Sequence, residues 1–175
     1  MSIKRSDTHS RVLDAVLSLV ADTPETALRM VDIAKRAGIS RQALYLHFAT
    51  RTDLLIATTL YVDEAKDIDA RLAASRTAIS GEARLDTYID AWGNYIPEIY
   101  GIARVLLALK ESGDEAAAAA WDSRMAAMRE GCTAAINALK TDGRLSPAYP
   151  RGRATDLLWT MLSVHNWEHL TIDCG

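Results

Sequence analysis

The stretch that decides the fold is Met30–Phe48, MVDIAKRAGISRQALYLHF. Its first half has apolar side chains at a helical spacing, which predicts a helix with one buried face. Gly38 follows where a helix would end, because glycine takes the left-handed conformation at little steric cost. Ser40 predicts the N-cap of a second helix, since its hydroxyl can accept a free amide of the first turn. Leu44 would face the first helix and Phe48 would close the unit, so the stretch predicts a helix-turn-helix.

The second helix of this motif would carry a polar face. Arg41, Gln42 and Tyr45 share an arc of about 100° on a helix that turns 100° per residue. Each of these side chains taken singly is more simply explained as part of a solvated helix surface. Together with a capped start and a glycine turn, the set favours a surface with a function.

At these residues the sequence resembles a known family. IAKRAGISRQALYLHF, followed by ATRTDLL, is similar to the DNA-binding signature of the tetracycline-repressor (TetR) family of transcriptional regulators, and RVLDAVLSLVAD resembles that family's first helix. The likeness is continuous over roughly 11–55. The resemblance implies an all-α fold, with an N-terminal three-helix DNA-binding domain in 1–52 and a larger helical ligand-binding and dimerisation domain in 53–175. The connecting fourth helix would start at about residue 50.

The resemblance also implies roles for single residues. The second helix of the motif would enter the major groove, where Arg41 and Gln42 can make bidentate hydrogen bonds to base edges. Tyr45, His47, Thr50 and Arg51 would bind phosphates, the last two beside a helix N-terminus. The implied DNA-binding residues are Arg29, Ser40, Arg41, Gln42, Tyr45, His47, Thr50 and Arg51.

Two positions depart from the family pattern. Relatives often have Thr or Ser at the start of the motif's first helix, where this chain has Arg29 or Met30. In relatives the Thr or Ser at this point also contacts a phosphate. Methionine can neither accept a capping bond nor make that contact, and Arg29 could bind the phosphate instead. Leu46 stands where many relatives have an aromatic or polar residue.

The rest of the chain predicts further helices. Apolar side chains recur at helical spacing, and Pro97 and two Ser-Gly pairs interrupt the pattern. The expected helices cover about 7–21, 50–72 (with an apolar stripe over 54–72), 85–96, 99–109, 114–139 and 152–170. In the related family the last two long helices form the dimer interface, so the resemblance implies a homodimer on a palindromic operator.

Composition and charge agree with this reading. The chain has 175 residues, of which 49% are apolar and 25% charged, and its one Phe and many Ala favour helix-on-helix packing. Up to residue 60 there are 8 Lys/Arg against 6 Asp/Glu, a charge of +2, so the net charge of −3 leaves −5 beyond it. Two distant cysteines, no apolar run of ~18 residues and no signal peptide predict a reduced, cytoplasmic protein that does not bind membranes.

Large side chains in the second half are candidates for a ligand pocket. The resemblance implies a cavity for a small hydrophobic effector, whose binding the fourth helix would transmit to the DNA-binding end. Ordinary core packing is the alternative for each of these residues. The candidates are Tyr61, Trp92, Tyr95, Trp121, Met125 and Trp159.

A competing motif lies near the end of the chain. His165-Asn166-Trp167-Glu168-His169 spells the inverted zinc-peptidase pattern, with both histidines on one helical face. A catalytic zinc site needs a further protein ligand, and only Asp173 follows within reach. The alternative function is therefore a helical interaction or metal-dependent module using the His165/His169 face. Other catalytic and cofactor motifs are absent from the sequence, so we expect no enzyme, no cofactor and no metal.

The sequence thus predicts a ligand-responsive repressor. It would bind double-stranded operator DNA as a homodimer and be released by a small molecule. The chain stops where family members commonly continue into a further helical segment, so a naturally short chain and a truncated one both remain open.

Overall fold

The computed structural model describes residues 7–22 and 28–175, and every regular element in them is helical. This confirms the all-α fold class. The elements are α1 (Asp7–Asp22), α2 (Met30–Ala37), α3 (Arg41–His47), α4 (Arg51–Ala65), α5 (Ile68–Arg76), α6 (Gly81–Glu111), α7 (Glu115–Thr141), α8 (Arg151–Met161), α9 (Val164–Glu168) and a π-helical turn (His169–Asp173). None of these helices combines the length and apolar character needed to cross a lipid bilayer.

Residue contacts divide the chain into two compact units. The first contains the described residues up to Ala65 together with Gly101–Trp121, and the second contains Lys66–Tyr100 and Asp122–Gly175. Helices α6 and α7 each contribute residues to both units. The functional boundary between residues 52 and 53 stays a prediction.

The first unit is built on α1, which packs against α2 and α4. Leu13 of α1, Ile33 of α2 and Leu54 of α4 are fully buried, as the apolar periodicity predicts. Hydrogen bonds between side chains at the edge of this core join the same helices. Arg36 of α2 donates to Asp22 and Ser18 of α1, and the Tyr61 hydroxyl of α4 donates to Asp14 at 2.9 Å. Both α2 and α4 are therefore tied to α1.

Local signals fix the two ends of α3. Gly38 has a φ of 68°, the left-handed conformation that the turn requires. Ser40 caps α3, because its hydroxyl accepts the Ala43 amide at 3.0 Å. Thr50 and Asp53 then form a reciprocal capping pair at the start of α4, with both backbone-to-side-chain distances at 3.0 Å. The predicted turn, N-cap and start of the fourth helix are confirmed.

A second polar contact ties the start of α4 to the later part of the same unit. Asp114 precedes α7 and caps it by accepting the Ala117 amide at 2.9 Å. Its other carboxylate oxygen accepts the Thr52 hydroxyl at 2.5 Å. Thr52 is only 8% exposed, so this bond is sheltered from water.

The second unit has its own apolar core, to which α6, α7 and α8 contribute. The Tyr88 hydroxyl donates to the Met128 carbonyl at 2.7 Å, and the Cys132 thiol lies 4.0 Å from the same hydroxyl. Burial raises the pKa of the Cys132 thiol to about 11 and also raises that of Tyr88. The buried residues of this core are Tyr88, Met128, Cys132, Ala135, Ile136, Leu139, Ala154, Leu158 and Leu162.

Close backbone packing starts α6. A Cβ atom on Gly81 would lie 2.4 Å from the Leu139 backbone nitrogen, so only glycine fits here. The Gly81 amide donates to Asp142 at 2.6 Å, which joins the start of α6 to the end of α7.

The prediction that Pro97 ends a helix is wrong, because α6 runs without a break from Gly81 to Glu111. Proline frees the carbonyl of the residue four positions earlier, here Gly93. Pro97 and Gly93 are both exposed, so water can reach that carbonyl. The flanking Ile96 and Ile99 are 3% and 7% exposed, and their burial holds the helix together on the other side.

Two other predicted helices are interrupted. The 54–72 stripe breaks after α4, where Asp67 has a φ of 47° and caps α5 by accepting the Ala70 amide at 3.1 Å. Aspartate tolerates the left-handed region better than most residues, so no glycine is needed. The 152–170 helix breaks after α8, and Ser163 caps α9 by accepting the Asn166 amide at 3.2 Å.

Candidate DNA-binding surface

The exposed face of α3 is the centre of the candidate site. Leu44 is fully buried and Phe48 is 5% exposed, so these two residues anchor the helix and its end to the unit. The opposite side points outward, and we call it the reading face. It consists of the exposed residues Arg41, Gln42, Tyr45 and Leu46.

The first and third members of the reading face contact each other. The Arg41 guanidinium lies 5.5 Å from the Tyr45 ring centroid, within the range of a cation–π interaction. Tyr45 is still 40% exposed. The contact therefore limits the positions of the guanidinium while leaving its donors free to reach a ligand.

Two side chains at the start of α4 flank the reading face. Thr50 uses its hydroxyl oxygen to accept the Asp53 amide, and the hydroxyl hydrogen is still available to donate. The Nε atom of Arg51 is buried and has no hydrogen-bond partner within the described part of the chain. A helix N-terminus favours anions, so the Thr50 hydroxyl and the positive charge of Arg51 suit a phosphate.

Arg29 precedes α2 and is already paired. Its Nε lies 2.7 Å from one Asp32 oxygen and its Nη2 lies 3.3 Å from the other. Hydrogen bonding to Asp32 raises the pKa of Arg29 further above its usual value. Arg29 holds the N-cap position of α2 without any side-chain capping bond, and Met30 is the first residue of the helix.

His47, at the end of α3, belongs to a small aromatic group. Its ring is exposed, and its centroid lies 6.3 Å from that of His9 on α1 and 6.5 Å from that of Phe48. The imidazole therefore lies near His9 and Phe48, at the end of α3. Seven of the eight predicted DNA-binding residues thus lie on α3, at its N-cap or at the start of α4, with His47 at the end of α3, and Arg29 alone precedes α2.

Residues 12–58, which contain this surface, match the family of bacterial regulatory proteins named tetR. The chain belongs to the TetR family. It is therefore a DNA-binding transcriptional regulator, as the sequence predicted.

Similar proteins extend the likeness beyond this segment. The transcriptional repressor LfrR of Mycolicibacterium smegmatis is 27% identical over 161 residues, which cover 90% of this regulator and 77% of LfrR. The nucleoid occlusion factor SlmA of a Marinomonas species is 26% identical over 65 residues, and the alignment spans only 33% of SlmA. A TetR regulator from Haloarcula marismortui superposes with a TM-score of 0.75 at 21% identity, covering 97% of this chain and 89% of that one. The last comparison shows the fold alone.

The predicted effector residues of this TetR-family regulator fall in both units. Tyr61 and Trp121 belong to the first unit, where Tyr61 is bonded to α1 and Trp121 is 8% exposed. In the second unit, Trp92 and Met125 pack against the apolar core, as does Trp159. Their role in ligand binding stays a prediction.

Within the second unit two pairs of these residues touch. The Trp92 ring lies edge-on to the fully buried Tyr95 at a centroid distance of 5.7 Å. The Trp159 indole donates to the Met125 carbonyl at 3.2 Å. The Trp92 indole nitrogen is buried and finds no acceptor among the described residues.

The histidine motif near the end is engaged within the regulator itself. Glu168 accepts the Tyr100 hydroxyl at 2.5 Å, and the His169 Nδ1 lies 3.0 Å from Asp173. Across residues 7–22 and 28–175, no three His, Cys, Asp or Glu side chains cluster in a way that could hold a metal. Nothing in these residues favours the metal-dependent module over a DNA-binding regulator.

Proposed function

We propose that this regulator is a repressor that binds a palindromic operator as a homodimer and is released by a small hydrophobic effector. The observation that carries the proposal is the reading face, an exposed and firmly anchored helix surface inside the family's DNA-binding segment. The likeness to LfrR over 90% of the chain supports repression as the outcome of binding. Because an operator lies on the chromosome, we expect the protein in the cytoplasm.

In the proposed complex α3 enters the major groove. Arg41 pairs with a guanine and Gln42 with an adenine, since their planar side chains match those base edges with two hydrogen bonds each. Tyr45, which holds the Arg41 guanidinium over its ring, binds a phosphate through its hydroxyl. The geometry that supports this division is that the base-reading pair lies at the capped N-terminal end of α3.

The phosphates on either side of the bases that Arg41 and Gln42 read would be bound by groups outside the first turn of α3. Thr50 and Arg51 stand at the start of α4, where the positive end of the helix favours a phosphate. His47 reaches the same backbone from the end of α3. Arg29 can contribute only by sharing or leaving Asp32.

The proposed homodimer uses the last two long helices, α7 and α8. Leu157 and Met161 of α8 are 43% and 66% exposed, so an apolar strip remains uncovered in the single chain. A second copy would cover it, and the two-fold symmetry would match two half-sites about one or more helical turns apart.

The proposed effector binds in the second half of the chain. The Trp92 indole supports this role, because its buried N–H makes no well-formed hydrogen bond within the described residues and a bound ligand can supply an acceptor. Release follows if the effector binds more tightly to a conformation whose two reading faces are wrongly spaced.

A genomic DNA-binding selection with purified protein at near-physiological salt tests the proposal. We expect the selection to enrich a palindrome that the dimer binds. Addition of the effector should release this DNA. The matched control is the Arg41→Ala/Gln42→Ala variant, whose changes lie on exposed positions and should leave the fold intact. A folded, ligand-stripped protein that enriches no sequence would contradict the proposal.

A further inference from the structure

An exposed leucine lies among the polar groups of the reading face. We propose that Leu46 contacts the C5-methyl group of a thymine in the operator, beside the base pair that Gln42 reads, and so determines part of the sequence specificity. The proposal rests on the proposed function, because it requires α3 to enter the major groove. The family's DNA-binding segment, residues 12–58, contains this position.

Leu46 takes no part in anchoring α3. It is 83% exposed, whereas Leu44 is fully buried and Phe48 is 5% exposed. The buried pair holds the helix and its end against the first unit. The Leu46 side chain is therefore free to be covered by a ligand, and covering it removes apolar surface from water.

Helix geometry places Leu46 beside a predicted base reader. Gln42 and Leu46 are four residues apart, and side chains at that spacing lie next to each other on one helical face. Leu44, which is buried, points to the opposite side. If Gln42 reaches a base edge in the groove, then Leu46 reaches the neighbouring position.

Base chemistry selects one partner for such a side chain. The major-groove edges of guanine, adenine and cytosine present hydrogen-bond donors and acceptors, whereas thymine also presents an apolar methyl group. A leucine that covers a polar edge takes it out of water without replacing its hydrogen bonds, which costs free energy. Thymine is therefore preferred at the position that Leu46 covers.

A thymine-to-deoxyuridine replacement tests this contact, because it removes the methyl group and leaves base pairing unchanged. Binding to the selected operator is measured by fluorescence anisotropy, with thymines of one half-site replaced one at a time. We expect one replacement to weaken binding by the wild type about fourfold, the effect of one buried methyl group. Leu46→Ala should bind the unmodified operator several-fold more weakly and be insensitive to that same replacement, while Leu46→Met retains both affinity and sensitivity.

The control is Ile79→Ala, which shortens a fully exposed apolar side chain outside the DNA-binding segment and should change nothing. A wild type that tolerates every replacement, or a Leu46→Ala variant that keeps full sensitivity, would overturn the role of Leu46 and leave the proposed function standing. Failure of the wild type to select any operator would instead overturn both.

Discussion

The side chains proposed to contact DNA are of two chemical kinds. Gln42 carries an amide that matches adenine, so it distinguishes bases, whereas Arg51 carries a charge at a helix N-terminus and acts on any phosphate. We expect Gln42→Ala to lose about 1–3 kcal/mol of binding free energy at one base position. Arg51→Ala should weaken binding to every duplex alike. Affinities for operators changed at one position at a time distinguish these outcomes.

Arg51 needs a control for folding, because its Nε is buried. Arg51→Lys keeps the charge but cannot place a donor at the same point, so it should restore only part of the affinity. Thermal unfolding of each variant shows whether a loss of binding reflects a loss of structure. Equal, sequence-independent losses in the Gln42 and Arg51 variants would contradict the assignment.

At the scale of helices, Asp114 joins the beginnings of two elements. It caps α7 through the Ala117 amide and accepts the Thr52 hydroxyl of α4. We expect Thr52→Val to lower the free energy of unfolding by about 0.5–1.5 kcal/mol, the usual net value of one hydrogen bond. Asp114→Ala should lower the melting temperature further, because it removes both bonds. Denaturant and thermal unfolding of the two variants measure this.

The same contact has a pH signature. The Thr52 hydrogen bond, and after it the Ala117 amide, lowers the pKa of the Asp114 carboxyl below its usual value. A carboxylate with a lower pKa in the folded state stabilises it above the unfolded pKa of about 4, and this contribution is lost as the pH falls through the folded value. Thr52→Val should therefore lose less stability than the wild type between pH 5 and pH 2. Identical pH dependence in both would mean that the Thr52 bond does not hold the carboxylate.

The sequence predicts helix ends well where the signal is local. Ser40 and the Thr50–Asp53 pair cap their helices through groups three residues away, and Gly38 takes the conformation that glycine favours. Pro97 misleads because its effect depends on distant packing. The burial of Ile96 and the exposure of the proline ring, which sequence alone does not give, let the helix continue.

At the scale of the whole molecule, the two candidate sites differ in how far the sequence predicts them. The DNA-binding surface lies within one short stretch of chain, so spacing alone places Arg41 and Gln42 together. The proposed effector residues come from several helices, and a contact such as Trp159 with Met125 depends on tertiary packing. Leu46 is an intermediate case, because its spacing from Gln42 is visible in the sequence but its exposure is not.

The whole chain carries a net charge of −3, so its binding to DNA must come from a few local cations. One of them, Arg29, is held by Asp32. We expect Asp32→Asn to release Arg29 toward a phosphate and to tighten binding to operator and unrelated duplex alike. The slope of log K against log salt should become more negative by about 2 for a dimer, one unit for each half-site. Affinities measured over a range of salt concentrations give this slope.

The control is Asp69→Asn, which breaks a comparable pair with Arg76 in the second unit and changes the net charge equally. Because Asp69 lies outside the DNA-binding segment, its loss should leave the slope unchanged. A steeper slope in both variants would assign the effect to net charge. An unchanged slope in Asp32→Asn would mean that Arg29 takes no part in the complex, and that the N-terminus of α2 contacts phosphate through its backbone amides alone or not at all.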